Sequence, residues 1–369
     1  MLELLTIAAI PISTSCAVSL LVALLIVFTK RWHGQHSMDS NFGVQKVHTQ
    51  PTPRVGSIAI AAGLVAGFLL ADPTRKVLLG PLILAGLPAL VFGLLEDITK
   101  RVGVFARLLA TMACGVLGWA ITGASITDVN LPGLDWLLGF GLISVVFTAF
   151  AVGGIANAIN IIDGFNGLAV GTIAVILFSF SFMCLALGDR NLAIACLILA
   201  APVIGFGLVN WPLGKLFLGD GGAYFGGFAV AWVAVLILAR HPEVSAWAPM
   251  LVCGYPVLEV FFSMARRRKR KKSVGQPDRL HLHSLVQRRV MPRLLPRASK
   301  RVHNSATGAC MWIAALIPAV IALQWPTQTP LLALGFVGCA VLYTVVYARL
   351  TQFRWCFSPA TLTLKTARI

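Results

Sequence analysis

The sequence contains eleven apolar runs that are long enough, or nearly so, to cross the roughly 30 Å hydrocarbon core of a bilayer. Only 12% of the 369 residues are charged, whereas a soluble domain carries about 25%. Because lipid offers no hydrogen bonds to the backbone, such runs fold as helices. We therefore predict an all-α, polytopic integral membrane protein built as a single transmembrane domain. The predicted spans lie near residues 4–29, 55–71, 77–95, 104–124, 134–156, 166–187, 191–209, 221–239, 244–264, 306–324 and 330–348.

Basic residues are distributed unevenly between the loops on the two sides of the predicted membrane. Of the 30 lysine and arginine residues, 26 fall in one set of alternate loops. By the positive-inside rule that set is cytoplasmic, so the N-terminus is expected outside and the C-terminus inside. The net charge of +17 then reflects orientation, and the basic run 266–272 is expected to face lipid headgroups rather than nucleic acid. The predicted cytoplasmic loops are 30–54, 96–107, 157–166, 210–220 and 265–305.

Carboxylates gather at the cytoplasmic ends of separate predicted spans. Glu96 and Asp97 follow the third span, Asp163 follows the fifth, and Asp220 precedes the eighth. Carboxylate oxygens that converge from different helices suit a hard cation such as Mg²⁺, which takes oxygen ligands and keeps several waters. The alternative is that each acid is an ordinary helix cap or turn residue, since those positions favour the same side chains.

The stretch 157–171 reads NAINIIDGFNGLAVG and carries a polar side chain at every third position. At that spacing Asn157, Asn160, Asp163 and Asn166 would share one side of a helix or of the turn that ends it. Polar groups within a membrane domain are costly when they face lipid. The stretch therefore predicts an inward-facing site, with a polar helix end and a glycine-rich turn as the alternative.

Two further stretches combine basic or glycine residues with prolines. In KVHTQPTPRVGS, Lys46, His48 and Arg54 can donate to phosphate, although a positively charged proline-rich loop would have the same composition. In NWPLGKLFLGDGG, the glycines around Asp220 allow close approach of the backbone to a ligand. Glycines before a helix can also form an anion-binding nest, while a tight turn needs the same residues.

The last cytoplasmic stretch, PDRLHLH, places Arg279, His281 and His283 close together in the sequence. These side chains are suited to contact a pyrophosphate. A metal site is the weaker interpretation, because no cysteine and no third histidine lies nearby. All these stretches fall on one predicted side of the membrane, which favours a cytoplasmic site for a phosphorylated ligand with bound Mg²⁺.

Together the motifs resemble the polyprenyl-phosphate N-acetylhexosamine-1-phosphate transferases, the glycosyltransferase 4 family, over about residues 44–290. KxHxxPTPRxG, the acidic pair, NAxNxxDGxNGLAxG, NWPxxKxFxGDxG and PDRxHxH follow one another in the family's order. The PDRLHLH stretch and the eleven spans look more like the GlcNAc-1-phosphate transferase branch than the peptidoglycan branch.

The resemblance implies an enzyme of the bacterial cytoplasmic membrane whose site faces the cytoplasm. It would transfer a sugar 1-phosphate from a UDP-N-acetyl sugar to undecaprenyl phosphate, release UMP and so initiate a cell-surface glycan. The implied cofactor is Mg²⁺, with Mn²⁺ as an alternative. The implied partners are the two substrates and membrane lipids, without nucleic acid, and a homodimer is left open.

The resemblance also implies roles for individual residues. Asp220 matches the metal ligand, and one of Glu96 and Asp97 matches a group that deprotonates or positions the lipid phosphate. The residues implied in catalysis are Glu96, Asp97, Asp163, Lys46 and His48. The residues implied in substrate binding are Asn160, Gly164, Phe165, Asn166, Asn210, Phe217, Arg279, His281 and His283.

Four positions depart from the family pattern: Glu96, Asn166, Gly222 and Ser284 stand where Asp, Asp, Ser and His are frequent. A glutamate at position 96 reaches one methylene further, and misplacement by about an ångström can cost ~100-fold in rate. A weakened, non-catalytic paralogue is therefore one alternative. A membrane transporter is another, although no repeated half is evident in the sequence. A CDP-alcohol type phosphotransferase is a third, disfavoured because the carboxylates come from separate spans.

Overall fold

The computed structural model describes residues 2–39, 51–269 and 280–352, and most of them are helical. Nine helices in this part of the chain are long and apolar enough to cross a membrane, which confirms the all-α, polytopic class. The count of eleven spans and the orientation stay predictions. In chain order the elements are α1 Leu2–Ser37, β1 Met38–Asp39, β2 Thr52–Pro53, α2 Gly56–Leu70, α3 Pro73–Thr99, α4 Val104–Thr122, α5 Pro132–Leu138, α6 Gly141–Ile162, α7 Leu168–Ala186, α8 Arg190–Asn210, α9 Gly219–Arg240, α10 Trp247–Val252, α11 Gly254–Lys269, α12 Leu282–Arg289, α13 Met291–Leu294, α14 Lys300–Gln324 and α15 Thr329–Thr351.

Two of the predicted spans differ from continuous, full-length helices. The second is α2, which has only 15 residues. The ninth, predicted over 244–264, is divided between α10 and α11 at Cys253. Pro256 explains the division, because it has no N–H to bond the carbonyl of Val252 and its ring crowds that carbonyl.

Helix α9 forms the centre of the bundle. Its residues from 219 to 237 are all buried, and it packs against α2, α3, α4, α6 and α7. Small residues on the neighbours allow this close approach. A Cβ added at Gly118 of α4 would lie 2.6 Å from the Trp232 indole, and one added at Gly86 of α3 would lie 2.6 Å from the Phe225 ring.

The outer helices present apolar side chains on the surface of the bundle. In α1, Leu25 and Phe28 are exposed, and in α15 so are Leu334 and Val341. A surface of this composition fits contact with lipid chains.

Several helices also continue further than predicted, so the predicted loops 30–54, 157–166 and 265–305 begin inside α1, α6 and α11. A helix satisfies its own backbone hydrogen bonds, so it can extend beyond the apolar run that started it.

The segment before α2 is held between two other parts of the chain. The Arg54 N–H donates to the Ser37 carbonyl at 2.9 Å, and the Phe217 N–H donates to the Pro53 carbonyl at 2.9 Å. The Gly56 N–H in turn donates to the Phe217 carbonyl at 3.0 Å. These bonds fix Arg54 beside the first residues of α9.

Candidate active site

The candidate site is built on the first turn of α9, where Asp220 lies. Gly219 begins this helix with φ of 77°, a left-handed conformation that favours glycine. A Cβ at Gly219 would lie 2.1 Å from the Arg54 carbonyl oxygen and 2.5 Å from Asp97 Oδ2. Glycine therefore lets the start of α9 approach both α3 and the segment before α2.

Asp97, at the end of α3, caps α9 from outside that helix. Its two carboxylate oxygens accept the backbone N–H groups of Asp220 at 2.9 Å and of Gly221 at 3.0 Å. The Asp97 side chain is fully buried. The first amides of α9, which the sequence offered as an anion-binding nest, are thus already used by a carboxylate, an arrangement that the positive end of a helix dipole favours.

Glu96 has a different local partner. Its Oε2 accepts the Val102 N–H at 2.8 Å and so closes the turn between α3 and α4. Lys100 takes a left-handed conformation with φ of 56° inside this turn. The two neighbouring carboxylates therefore bind different parts of the chain: Asp97 binds the start of α9, and Glu96 binds the turn between α3 and α4.

Two arginines neutralise the carboxylates. Arg54 Nη2 lies 2.8 Å from Asp220 Oδ1, and Arg54 Nε lies 3.3 Å from Asp97 Oδ1. Arg107, in the first turns of α4, forms an ion pair with Asp220 Oδ2 and its guanidinium lies 5.8 Å from the Tyr224 ring centroid. Ion pairs of this kind make it possible to keep several charges together in a partly buried site.

Arg54 and Arg107 were not among the residues assigned to the site from the sequence. The signal for Arg107 was present, because it is a charged residue inside a helix long enough to span a membrane, and such residues are rare and face the protein interior. Arg54 was noted as a phosphate donor, but its ion pairs with two carboxylates depend on the packing of α9.

Asn160 and Asp163, at the end of α6, complete the cluster. Asn160 Nδ2 donates to Asp220 Oδ1 at 3.1 Å. Asp163 is the residue at which α6 ends. Burial raises the pKa of the Asp163 carboxyl to about 7, although the charge of Arg54 opposes this shift. Its carboxylate has no hydrogen bond to any side chain or backbone group described here, so it is the uncommitted carboxylate of the cluster.

The four polar residues spaced by three do not all face one side. Asn157 donates to Thr111 Oγ1 at 3.2 Å and to the Gly153 carbonyl at 2.8 Å, away from Asp220. Asn166 lies beyond the end of α6, where helical spacing no longer applies. Its N–H donates to Asn304 Oδ1 at 2.7 Å and its Nδ2 to Ser305 Oγ at 3.2 Å, so it is bound to α14.

Asn210 and the backbone of Phe217 also connect segments of the chain. Asn210 Oδ1 accepts the Gly167 N–H at 2.7 Å, and its Nδ2 donates to the Leu216 carbonyl at 2.8 Å. Phe217 bonds through its backbone to the segment before α2. Asn166 and Asn210 are buried, so their amides support the walls of the site.

The two histidines lie against the turn that follows α6. The His283 ring centroid is 5.4 Å from that of Phe165, and a Cβ added at Gly164 would lie 3.9 Å from His283 Nε2. Both histidines are buried. The structure thereby connects His281 and His283 with Asp163, which precedes Gly164. Lys46, His48 and Arg279 lie outside the described residues.

Oxygen donors suited to Mg²⁺ are present on Asp220, Asp163 and Asn160. Within residues 2–39, 51–269 and 280–352, no three His, Cys, Asp or Glu side chains are arranged to hold a metal ion by themselves. Mg²⁺ in phosphate-transferring enzymes usually needs only one or two carboxylates, with the remaining ligands from substrate phosphates and water. The donor set therefore fits that cation, and Arg54 and Arg107 bind the Asp220 oxygens that it would use.

A model of the family described as "Glycosyl transferase family 4" matches residues 78–238. That segment includes the acidic pair, the end of α6 and the start of α9, but it leaves out Arg54 and the two histidines. The match thus covers the carboxylates of the cluster and one of its two arginines.

Curated proteins with related sequences carry transferase names. A probable undecaprenyl-phosphate N-acetylglucosaminyl 1-phosphate transferase of Bacillus subtilis is 29% identical over 241 residues, which is 65% of this chain and 66% of that protein, just under two thirds of its length. An undecaprenyl-phosphate alpha-N-acetylglucosaminyl 1-phosphate transferase of Yersinia pestis is 28% identical over 66% of this chain and 68% of its own length. A decaprenyl-phosphate N-acetylglucosaminephosphotransferase of Mycolicibacterium smegmatis is 27% identical over 75% of this chain and 76% of its own length.

Proposed function

We propose that this chain, whose residues 78–238 match the glycosyl transferase family 4 model, transfers a sugar 1-phosphate from a UDP-N-acetylhexosamine to undecaprenyl phosphate. An oxygen of the lipid phosphate would attack the β-phosphorus of the UDP-sugar. The bond from that phosphorus to the bridging oxygen would break, and UMP would leave with the electron pair. The names of the relatives support both the sugar 1-phosphate and the polyprenyl acceptor.

One observation carries this proposal: Arg54, Arg107 and Asn160 contact Asp220 from three different segments of the chain, and Asp163 lies close enough to Arg54 to feel its charge. Phosphoryl transfer requires mainly positioning and neutralisation of phosphate charge. Two arginines offer planar donors that match phosphate oxygens. The paired carboxylates keep those arginines in place until a diphosphate arrives.

The cofactor we propose is Mg²⁺, held by Asp220 together with phosphate oxygens and water. When bound, the ion would stabilise the negative charge that develops on the UMP leaving group. Arg107 would then leave the Asp220 oxygen and donate to phosphate instead. Mn²⁺ has similar ligand preferences and is the alternative.

Among the carboxylates, Asp163 best fits the group that accepts a proton from the lipid phosphate. Asp97 accepts two backbone N–H groups of α9 and Glu96 accepts that of Val102. Among the described residues none donates such a bond to the Asp163 carboxylate, and burial raises its pKa to about 7, close to the pH at which a general base acts most efficiently. We assign Asp97 and Glu96 to positioning.

We also propose that the site faces the cytoplasm of a bacterial inner membrane. The basic loops lie on the same side of the predicted topology as the carboxylate cluster, and UDP-sugars are charged substrates. A transporter has no comparable support, because the polar side chains of the cluster gather at one end of the helices rather than along them.

The test is UMP release by purified protein in lipid nanodiscs that contain undecaprenyl phosphate and MgCl₂, with a panel of UDP-N-acetyl sugars. We expect release with at least one donor, and its loss in Asp220→Asn. Asp189→Asn is the matched control, since Asp189 is also an ion-paired aspartate but precedes α8 at the other end of the bundle. Absence of release with every donor would contradict the proposed function.

A further inference from the structure

Glu259 in α11 is fully buried, and the proposed reaction gives it no role. A carboxylate at such depth is costly unless several donors satisfy it. It also lies outside the residues 78–238 matched by the family model. Its partners therefore indicate why the chain keeps an acid there.

Two donors to Glu259 belong to the start of α12, and Tyr343 of α15 lies beside the same carboxylate. His281 Nδ1 lies 2.9 Å from Glu259 Oε1, and the Leu282 N–H lies 3.2 Å from Oε1 and 3.3 Å from Oε2. The first N–H groups of a helix lack partners within that helix. Glu259 thus caps α12 and at the same time holds the imidazole that precedes it.

This contact determines which nitrogen of His281 carries a proton. A carboxylate accepts hydrogen bonds, so Nδ1 must be protonated, whether the ring is neutral or an imidazolium. Nε2 is then left to bond elsewhere. Carboxylates orient imidazoles in the same way in serine hydrolases and behind metal-binding histidines.

The His281 ring also supports its neighbour. The rings of His281 and His283 are stacked, with centroids 5.2 Å apart and planes 10° apart. His283 contacts Phe165 on its other side, and its Nδ1 lies 3.2 Å from the Tyr255 hydroxyl. Packing contacts thus lead from Glu259, through the two rings, to the turn that carries Asp163.

We propose that Glu259 is a positioning residue for His281 and His283. It keeps the proton of His281 on Nδ1 and sets both rings against the turn at Gly164 and Phe165. The effect on turnover rests on the function proposed above, whereas the effect on the ring nitrogens does not.

The informative variant is Glu259→Leu, which removes both acceptor oxygens. Glutamine would be less informative, because Oε1 already lies within hydrogen-bond distance of both His281 Nδ1 and the Leu282 N–H, so one amide oxygen could serve both donors. In Glu259→Leu the Nδ1–H of His281 loses its acceptor, and the proton of the neutral ring is no longer held on Nδ1. We expect ¹⁵N NMR of histidine-labelled protein in nanodiscs to show His281 Nδ1 protonated in the wild type and a population protonated at Nε2 in the variant. A His281→Gln sample assigns the signals.

We expect kcat for UMP release to fall by about 10- to 100-fold in Glu259→Leu, the usual effect of removing the partner of a functional histidine, with little change in KM for the UDP-sugar. Glu243→Leu is the matched control. Glu243 also lies 3.3 Å from a histidine nitrogen, that of His241, but it is exposed and distant from α12.

Three results would overturn the proposal. One is a wild-type spectrum with His281 protonated only at Nε2, which needs no folded variant. The second is a Glu259→Leu spectrum with unchanged His281 signals. The third is a changed spectrum with wild-type kcat. If the wild type releases no UMP from any donor, the proposed function fails, while the comparison of ring nitrogens still decides the role of Glu259.

Discussion

Replacing Asp97 by asparagine separates support of α9 from direct action on the substrate. Asp97 is buried and accepts the N–H groups of Asp220 and Gly221, one on each oxygen. Asparagine has a single acceptor oxygen, so its NH₂ group must face one of these two donors. The first turn of α9 would lose a hydrogen bond, and Arg54 would lose the carboxylate that lies 3.3 Å from its Nε.

The magnitude follows from these contacts. A hydrogen bond to a charged group contributes about 1.5–3 kcal/mol, and leaving a buried donor unpaired costs about 1–3 kcal/mol. Removing the buried charge offsets part of this loss, because a carboxylate is costly to desolvate. We expect Asp97→Asn to lower the free energy of unfolding by about 1–3 kcal/mol and to lose activity as Asp220 moves.

The assay is thermal unfolding in detergent, followed with a thiol-reactive dye. Cys114, Cys184, Cys196 and Cys253 are buried and become reactive on unfolding. Asp163→Asn is the control, because within the part of the chain that the structure describes no group donates a hydrogen bond to the Asp163 carboxylate. Its folded-state pKa is raised, so the ionised form costs stability as the pH rises above the unfolded value, and asparagine removes that cost. An Asp97→Asn protein that unfolds at the wild-type temperature but has lost turnover would refute the reasoning, since Asp97 would then act on the substrate.

Three more expectations concern other contacts. Arg107→Ala should lower kcat by about 100-fold through loss of a phosphate donor. It should also decrease the MgCl₂ concentration needed for half-maximal rate, because Arg107 no longer competes with Mg²⁺ for the Asp220 carboxylate. Arg101→Ala, an exposed substitution, should change neither value, and an increased MgCl₂ requirement in Arg107→Ala would contradict this competition. Gly308→Ala should destabilise the protein by about 1–3 kcal/mol, because its Cβ would lie 2.1 Å from the Asn166 carbonyl oxygen. Gly338→Ala has open space around its Cβ and should stabilise the protein by up to about 1 kcal/mol. Equal unfolding temperatures for the two variants would show that the contact with Asn166 does not destabilise the protein. Burial raises the pKa of Asp189, but hydrogen bonds from Arg240 and the Leu192 N–H outweigh this effect and hold the pKa below its ordinary value. A lowered folded-state pKa stabilises the protein at a pH above the unfolded value of about 3.9, and this stability is lost as the pH falls through the folded pKa. Asp189→Asn should therefore lower the unfolding temperature at neutral pH, and a difference from the wild type that does not shrink in acid would argue against the ion pair.

The sequence was sufficient to predict the class of fold and the convergence of carboxylates from separate helices. Apolar length locates a span because the thickness of the bilayer is fixed. The acids at the ends of α3, α6 and α9 stood out because charged residues are rare beside such spans. The broken helix at Cys253 was missed, since a proline near the middle of an apolar run does not by itself show whether the helix bends or divides.

The partners of each polar residue could not be predicted in the same way. Glu259 lies 22 residues before His281, and Asn166 bonds to Asn304 across a separation of 138 residues. Such pairs depend on the rotation of each helix about its own axis and on its position along the bundle axis. A single sequence contains no direct signal for either. Asparagines and aspartates also serve as caps, supports and ligands with the same chemistry, so only the packed structure distinguishes Asp97, which caps α9, from Asp163, which is uncommitted.

The burial of α9 has a consequence for the biosynthesis of the protein. The helices that pack most closely on it, α2, α3, α4, α6 and α7, all precede it in the chain and so leave the ribosome first. The earlier helices can assemble around a gap, and α9 fills that gap from Gly219 onward. Asp220 enters with it, so the carboxylate cluster is completed only when this helix is inserted. A nascent chain stalled before residue 219 would expose the glycine faces of α3 and α4 to lipid, a form that membrane quality-control proteases could recognise.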